Sequence, residues 1–439
     1  MADAEQNKQS DFMIEKIKDR PVNKKKLLRR TVTTASMAVI FGLIACLTFL
    51  ILEPVFTNWL YPEEEPQVVV FPEEADEMAP EDMIVEEEDA SLQEAVESVI
   101  LEDEQIAKIL DNIKLDKTHY VQMHNAMSAY TAELASSMVT VTGVSSDVDW
   151  LNDTYEKQSQ TYGVLVTSNG KEYLILTDKK TLQHAENINV TFCDGEKVPA
   201  VIKRTDEQTG LAVISVLFTD MKESTREAVK IAALGSSNLR NPAGMPVVAM
   251  GCPLGTVNSV GYGMIAADAG LLCKDDANYK LFTTDIYGST DSVGVLFNMQ
   301  SQIVGIITRD RANSDMKNAV TAIGISELRK LIENMSNGKE AAYLGISGVD
   351  VTTEANSEMH VPLGAYVKEI AMDSPAMLAG IQPGDVIVEI DGNSIANFNN
   401  YTAALLRLSP EQTVTVVLQR QVQNRYREIE MEITLGTAK

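Results

Sequence analysis

Twenty-two consecutive residues without a charge, Thr31 to Leu52 (TVTTASMAVIFGLIACLTFLIL), constrain this chain more than any other feature. Inside hydrocarbon a segment must satisfy its backbone N–H and C=O groups internally, so such a run reads as one helix, which needs about 20 residues to cross. Lys24-Lys25-Lys26 and Arg29-Arg30 precede it, and Glu53 and Pro54 follow. Positive charge stays on the cytoplasmic side, which places the N-terminus in the cytoplasm and everything after Leu52 outside. A cleaved signal peptide shares the basic start, but this stretch exceeds a usual signal core and lacks a small-x-small site at its end. The expectation is a single-pass, uncleaved anchor.

Charge divides the rest. The chain of 439 residues carries a formal −26, yet residues 1–30 hold nine basic and five acidic side chains. Residues 53–107 hold 19 acidic side chains and no basic one. So acidic a balance argues against nucleic acid or anionic lipid as the main partner, since either calls for a basic surface. Residues 1–30 read as a basic cytoplasmic tail. Residues 53–105, with Glu63-Glu64-Glu65, Glu86-Glu87-Glu88-Asp89 and five prolines from Pro54 to Pro80, read as a self-repelling, disordered stalk. Calcium binding is the sharper alternative for that stalk, but the alternating oxygen ligands and turn glycine of a loop site are lacking. Ile106, Ile109, Leu110 and Ile113 then fall on one helical face, and residues 106–136 read as a helical linker. Cys46 lies in the apolar run, and Cys193, Cys252 and Cys273 show no CxxC or metal spacing. His119, His124, His184 and His360 are scattered. Neither a metal nor a cofactor is expected.

From 137 to 335 short β-rich runs alternate with turn signals: Val139-Thr140-Val141, Gly163 to Thr167, Tyr173 to Leu176, Ile188 to Phe192, Leu211 to Leu217 and Met245 to Met250. Many short strands of this kind predict an all-β barrel or sandwich. Particular words carry the reading further. They are Ile175-Leu176-Thr177-Asp178-Lys179-Lys180, Val190 to Gly195, Ala200 to Asp206, Thr209-Gly210-Leu211-Ala212-Val213-Ile214, Gly251-Cys252-Pro253-Leu254-Gly255, Thr284-Asp285-Ile286-Tyr287, and Asp291 to Asn298 with Ile303-Val304-Gly305-Ile306. In order and spacing they resemble the HtrA family of serine proteases. The resemblance implies a mainly β fold, a trypsin-like double β-barrel, in a bacterial cell-membrane protein.

The departures from that family fall on its chemistry. A triad needs a base, a carboxylate that orients it, and amides that hold the oxyanion. By the resemblance, the base position is Lys180, the carboxylate position Gly210 and the nucleophile position Ser292, with one residue fewer between Asp285 and the serine. The glycine-rich nucleophile loop reads Thr290-Asp291-Ser292-Val293-Gly294, with two β-branched residues and a carboxylate beside the oxyanion position. His184 and Asp206 stand four residues from the base and carboxylate positions, beyond the near-3 Å reach proton transfer requires. A Ser292–Lys180 dyad needs Lys180 desolvated so that its pKa falls.

Residues 340–437 carry a second resemblance, to a PDZ domain of the same family, through Tyr343-Leu344-Gly345-Ile346, Gly364 to Val367, Asp373 to Ala376 and Ala379 to Gly392. It implies that amides of Tyr343, Leu344, Gly345 and Ile346 cap a peptide's C-terminal carboxylate, and that the peptide adds a strand beside Ile346 to Val349. The facing helix is expected over Asn399 to Leu408, with Tyr401, Ala404 and Leu405 toward the groove. The alternative is a loop that only packs on the neighbouring domain.

Together these readings predict a membrane-anchored, extracytoplasmic pseudoprotease. It would bind protein or peptide C-termini or unfolded envelope proteins, in quality control or as an adaptor or sensor. The family's trimers suggest a homo-trimer or a mixed oligomer with active relatives. The competing expectation is an active endopeptidase that uses Ser292 with a non-standard base.

Overall fold

The structure, a computed structural model, describes residues 24–60, 66–72, 117–148, 154–310, 317–423 and 425–438. The basic tail before residue 24, most of the acidic stretch, and Ile106, Ile109, Leu110 and Ile113 lie outside them. Two units are distinguished, 1–65 and 66–439. The first holds helix α1 (Lys24–Leu60), whose segment Leu28–Phe49 has a mean hydropathy of 2.1 and no buried surface, long and apolar enough to cross a membrane. The helix runs on through Glu53–Leu60, residues whose charge and proline assign them to a disordered stalk.

The second unit begins with a further departure from that stalk. Residues 66–72 lie extended against the β domain instead of standing free. Val69 is buried while Val68 and Val70 face solvent, and its N–H and C=O both pair with the Asn337 side chain at 2.9 and 2.8 Å. Val68-Val69-Val70-Phe71 is an apolar interruption in an acidic run, and alternation in an extended segment lets it bury one residue. Helix α2 (Lys117–Leu134) is mostly exposed and docks through its last turns, where the Tyr130 hydroxyl donates to the Asn298 carbonyl.

Strands β1 (Met138–Val148), β2 (Thr154–Ser168), β3 (Glu172–Asp178), β4 (Asn187–Thr191), β5 (Lys197–Thr205) and β6 (Leu211–Leu217) close a barrel in the order β1-β2-β3-β6-β5-β4. The short strand β7 (Ala233–Leu234) leads to β8 (Pro246–Cys252), β9 (Ser259–Lys274), β10 (Ala277–Tyr287), β11 (Val293–Phe297), β12 (Gln302–Thr308) and β13 (Ala319–Gly324). Their order β11-β8-β9-β10-β13-β12, with β11 pairing β12, closes a second barrel, and β7 adds to β12 in parallel. The double barrel expected from the sequence is present.

Its core explains why several strands read as unbroken apolar runs. On β3, Ile175 points into the first barrel, while Leu174 and Leu176 join the seam between barrels. On β12, Ile307 fills the second barrel and Ile306 the seam. Strands buried on both faces need apolar residues at every position. Helix α3 (Ile325–Ser336) covers the seam with Leu328, Leu331, Ile332 and Met335.

After α3 comes the C-terminal domain: β14 (Ala342–Tyr343), β15 (Ile346–Asp350), β16 (Ala365–Ile370), β17 (Val386–Ile390), β18 (Asn393–Ser394), helix α4 (Phe398–Leu405), β19 (Thr413–Val422), β20 (Arg425–Thr434) and β21 (Gly436–Thr437). Its sheet runs β15-β16-β17-β19-β20, so one edge of β15 is left free by its own domain.

Candidate functional site

The three triad positions come together at the seam between barrels. Asp178 ends β3, and the next residues, Lys179–Thr181, form a single 3-10 turn that carries Lys180. Gly210 precedes β6 with φ +70°, and its carbonyl accepts from the Lys179 amide at 2.9 Å. The position beside the base therefore bears no carboxylate. Asp206 does not supply one, because its carboxylate caps its own turn at the amide and hydroxyl of Thr209, at 2.8 and 2.6 Å. His184 is exposed.

Across the seam, Ser292 immediately precedes β11 and is completely buried. Its amide, which at this position would point at an oxyanion, donates instead to the Ser289 carbonyl at 3.1 Å. The Asp291 amide faces the Ser289 hydroxyl at 3.2 Å. Neither Thr290 nor Val293 takes a left-handed conformation; the one such position in this loop is Gly294, where a Cβ would meet the Met250 carbonyl oxygen at 2.2 Å. That glycine serves the close approach of β11 to β8.

A relay of alternating charges spans the triad positions. The Lys180 ammonium lies 3.3 Å from the Asp291 carboxylate, Arg309 lies 3.6 Å from Asp291, and Arg309 forks onto Asp178 at 2.7 and 3.1 Å. Lys180 and Asp291 are both about two-thirds exposed, whereas Asp178 is 6% exposed. The bidentate bond to Asp178 raises the Arg309 guanidinium above its ordinary value, so the guanidinium stays charged. Sequence reading placed Lys180, Gly210 and Ser292 but missed the roles of Asp178 and Arg309. An Arg just past a buried strand hints at a partner, yet nothing local says which.

A cleft of about 500 Å³ is lined by residues of α2, β1, β2 and β8 and by the turn after β4, including Met138, Tyr162, Phe192 and Met250; none of the triad positions lines it.

At the C-terminal domain, Tyr343 ends β14, Leu344 and Gly345 form the turn, and Ile346 begins β15. Gly345 has φ +86°, and a Cβ there would meet the Ser374 Cβ at 2.3 Å, so only glycine fits. The loop amides converge on one carboxylate, that of Asp276 at the tip of the β9–β10 hairpin. Oδ2 accepts from the amides of Leu344 and Gly345 at 2.8 and 2.7 Å, and Oδ1 from the amide of Ile346 at 2.9 Å and the Tyr401 hydroxyl at 2.5 Å. Tyr401 and Leu405 sit on the buried face of α4. Burial pushes the Asp276 carboxyl above the ordinary carboxylate range, against the pull of its four donors. Burial and the charge of Asp276 push the Tyr401 phenol well above its usual value, which keeps the proton on the phenol. The part of Asp276 is the second one missed, since Asp275-Asp276 reads locally as an ordinary hairpin turn.

Known proteins share both parts of this architecture. A sequence model of the trypsin-like peptidase domain matches residues 161–306, and one of the PDZ domain matches 366–420. HhoA of Synechocystis sp. is 30% identical over 255 residues, covering 54% of this chain and 61% of that protein. The serine protease Do-like HtrA of Lactococcus lactis subsp. cremoris is 23% identical over 344 residues, 72% of this chain and 82% of that protein. The same-named protein of Bacillus subtilis is 29% identical over 270 residues, 57% and 58%. The matches span little over half the length of the first curated relatives, 56% and 61%. Among solved structures, the HtrA-type protease AlgW with decapeptide superposes with a TM-score of 0.50 at 20% identity, covering 71% of this chain and 99% of that one. That likeness speaks to the fold.

Proposed function

Because this chain is an HtrA-type trypsin-like serine protease domain followed by a C-terminal PDZ domain, we propose that it works without proteolysis, as a membrane-anchored pseudoprotease. In this reading it captures peptide C-termini or unfolded segments of envelope proteins through the PDZ loop, in quality control or as an adaptor or sensor. The observation that carries it is the Lys180–Asp291–Arg309–Asp178 relay at the triad positions. Lys180 is about two-thirds exposed and paired with Asp291, so it lacks the desolvated setting a lysine base requires. The buried Ser292 and its inward-turned amide support the same conclusion. On the PDZ side, Leu344, Gly345 and Ile346 aim three amides at one carboxylate, the chemistry that recognises a free C-terminus.

The uncharged run from Thr31 to Leu52 with its basic N-terminal flank supports a single-pass anchor in a bacterial cell membrane, N-terminus in the cytoplasm. Assembly into a homo-trimer, or with active relatives, belongs to the same proposal.

The retained Ser292 favours a second reading, an endopeptidase with a non-standard base. It would require Lys180 to leave Asp291 and Ser292 to become exposed. Incubating the full chain in detergent with unfolded casein, beside Ser292→Ala, separates the two. We expect identical background in both samples; cleavage abolished by the substitution would sink the non-catalytic reading.

A further inference from the structure

The PDZ carboxylate site already holds a ligand supplied by the chain itself. Asp276 lies at the turn of the β9–β10 hairpin with φ +62°, a left-handed conformation that aspartate tolerates better than most residues. Its carboxylate accepts from the amides of Leu344, Gly345 and Ile346 and from the Tyr401 hydroxyl. The backbone joins in. The Asp276 amide donates to the Ile346 carbonyl at 2.7 Å, and its carbonyl accepts from the Thr402 hydroxyl of α4 at 2.8 Å. Two residues on, the Asn278 side-chain amide donates to the Gly348 carbonyl at 2.9 Å. The Ser347 hydroxyl, between them, donates to Asp275 at 2.9 Å.

These bonds run along the free edge of β15, toward which α4 also contributes a donor. A peptide that adds a strand there would place its terminal carboxylate on the three amides and donate to alternate carbonyls of β15. Asp276 occupies the first position with its side chain and the Ile346 carbonyl with its backbone, and Asn278 takes the Gly348 carbonyl with its side chain. One internal segment thus uses the groups a free C-terminus would need. Its burial excludes joint occupancy, for Asp276 is 6% exposed and each amide it takes has a single N–H to donate.

We propose that Asp276 is a built-in competitor, a tethered carboxylate that fills the PDZ loop, so that a peptide C-terminus binds only by displacing the β9–β10 hairpin from the PDZ domain. The inference rests on the loop being a peptide site, as proposed above. It adds a consequence: ligand binding frees a hairpin of the second barrel. A peptide's apparent affinity is then its intrinsic affinity reduced by the fraction of molecules with the hairpin released.

The test uses the full chain in detergent micelles. The probes are fluorescein-labelled decapeptides ending in free Val, Leu or Phe carboxylates and the same peptides amidated. Fluorescence anisotropy should show Asp276→Ala binding the free-carboxylate peptides at least about tenfold more tightly than wild type. The amidated peptides should gain nothing. Asp276→Asn, which keeps shape and one acceptor oxygen, should fall between and guards against misfolding of the alanine variant. Hydrogen exchange supplies a second readout: the amides of Leu344, Gly345 and Ile346 should be protected in wild type, exposed in Asp276→Ala, and protected again by peptide. Equal affinity in wild type and both variants, or unchanged exchange at 344–346, overturns the competitor while leaving the PDZ domain a peptide binder. If no free-carboxylate peptide binds wild type or either variant, both the competition and the peptide-capture reading fall.

Discussion

Arg309 and Asp178 meet across the barrel seam with one partner nearly buried and the other a third exposed, while Lys180 and Asp291 meet in solvent. The two pairs belong to one relay and differ in energetic weight. An exposed ion pair contributes at most about 1 kcal/mol, because water and salt screen it. A carboxylate left buried without its cation costs about 3–5 kcal/mol, and the partial exposure of Arg309 puts this case at the lower end. Arg309→Met is therefore expected to lower the urea midpoint markedly, and Lys180→Ala hardly at all, by far-UV circular dichroism. Asp178→Leu combined with Arg309→Met should recover most of the loss, since no charge is then stranded. If the double variant is as unstable as the two single losses added, the pair is not what holds this part of the seam.

At the scale of elements, strand and turn patterning carried far. The alternation of seam and barrel residues along β3 and β12, and the glycines at Gly294 and Gly345, follow from local rules of period and positive φ. The segment 66–72 did not follow, because its composition belongs to the stalk while its docking depends on Asn337 of the helix end, 268 positions from Val69. That one side chain satisfies both the N–H and the C=O of Val69 and also donates to the Glu333 carbonyl. Asn337→Ala leaves the buried Val69 groups without partners, at a cost of about 1–3 kcal/mol to the docked state. Hydrogen–deuterium exchange of a peptide covering 66–72 should rise about tenfold or more, with the barrel strands unaffected. Unchanged exchange there would mean that the remaining contacts of this segment, the Gln67 amide on the Asn169 carbonyl and the Phe71 amide on Glu333 among them, hold it without Asn337.

At the scale of the molecule, the triad positions belong to two barrels, and repair of one barrel does not restore a site that both must build. Lys180→His with Gly210→Asp reinstates the base and carboxylate on the first barrel, and aspartate is tolerated at the +70° φ of Gly210. The second barrel still presents a buried Ser292 with its amide turned to Ser289. Casein turnover by this double variant is expected to stay at the level of Ser292→Ala. Cleavage that depends on Ser292 would show that the nucleophile loop opens by itself and that only the missing base and carboxylate hold the chemistry back.

By itself the sequence determined the anchor-length helix, the succession of β domains, the turns that need glycine, and the absence of histidine and aspartate from positions 180 and 210. Each is written in a run of neighbouring residues, where charge, period and backbone freedom act over a few positions. Only the tertiary structure decided what took their place. Asp178 and Arg309 stand 131 residues apart, and Asp276 lies 68 residues from the Leu344 amide that it accepts from. Whether a carboxylate at a hairpin tip faces water or meets the loop amides of a neighbouring domain depends on where two folded domains touch. No local pattern of residues encodes that meeting, because it is the packed surfaces, not the adjacent side chains, that bring donor and acceptor within 3 Å.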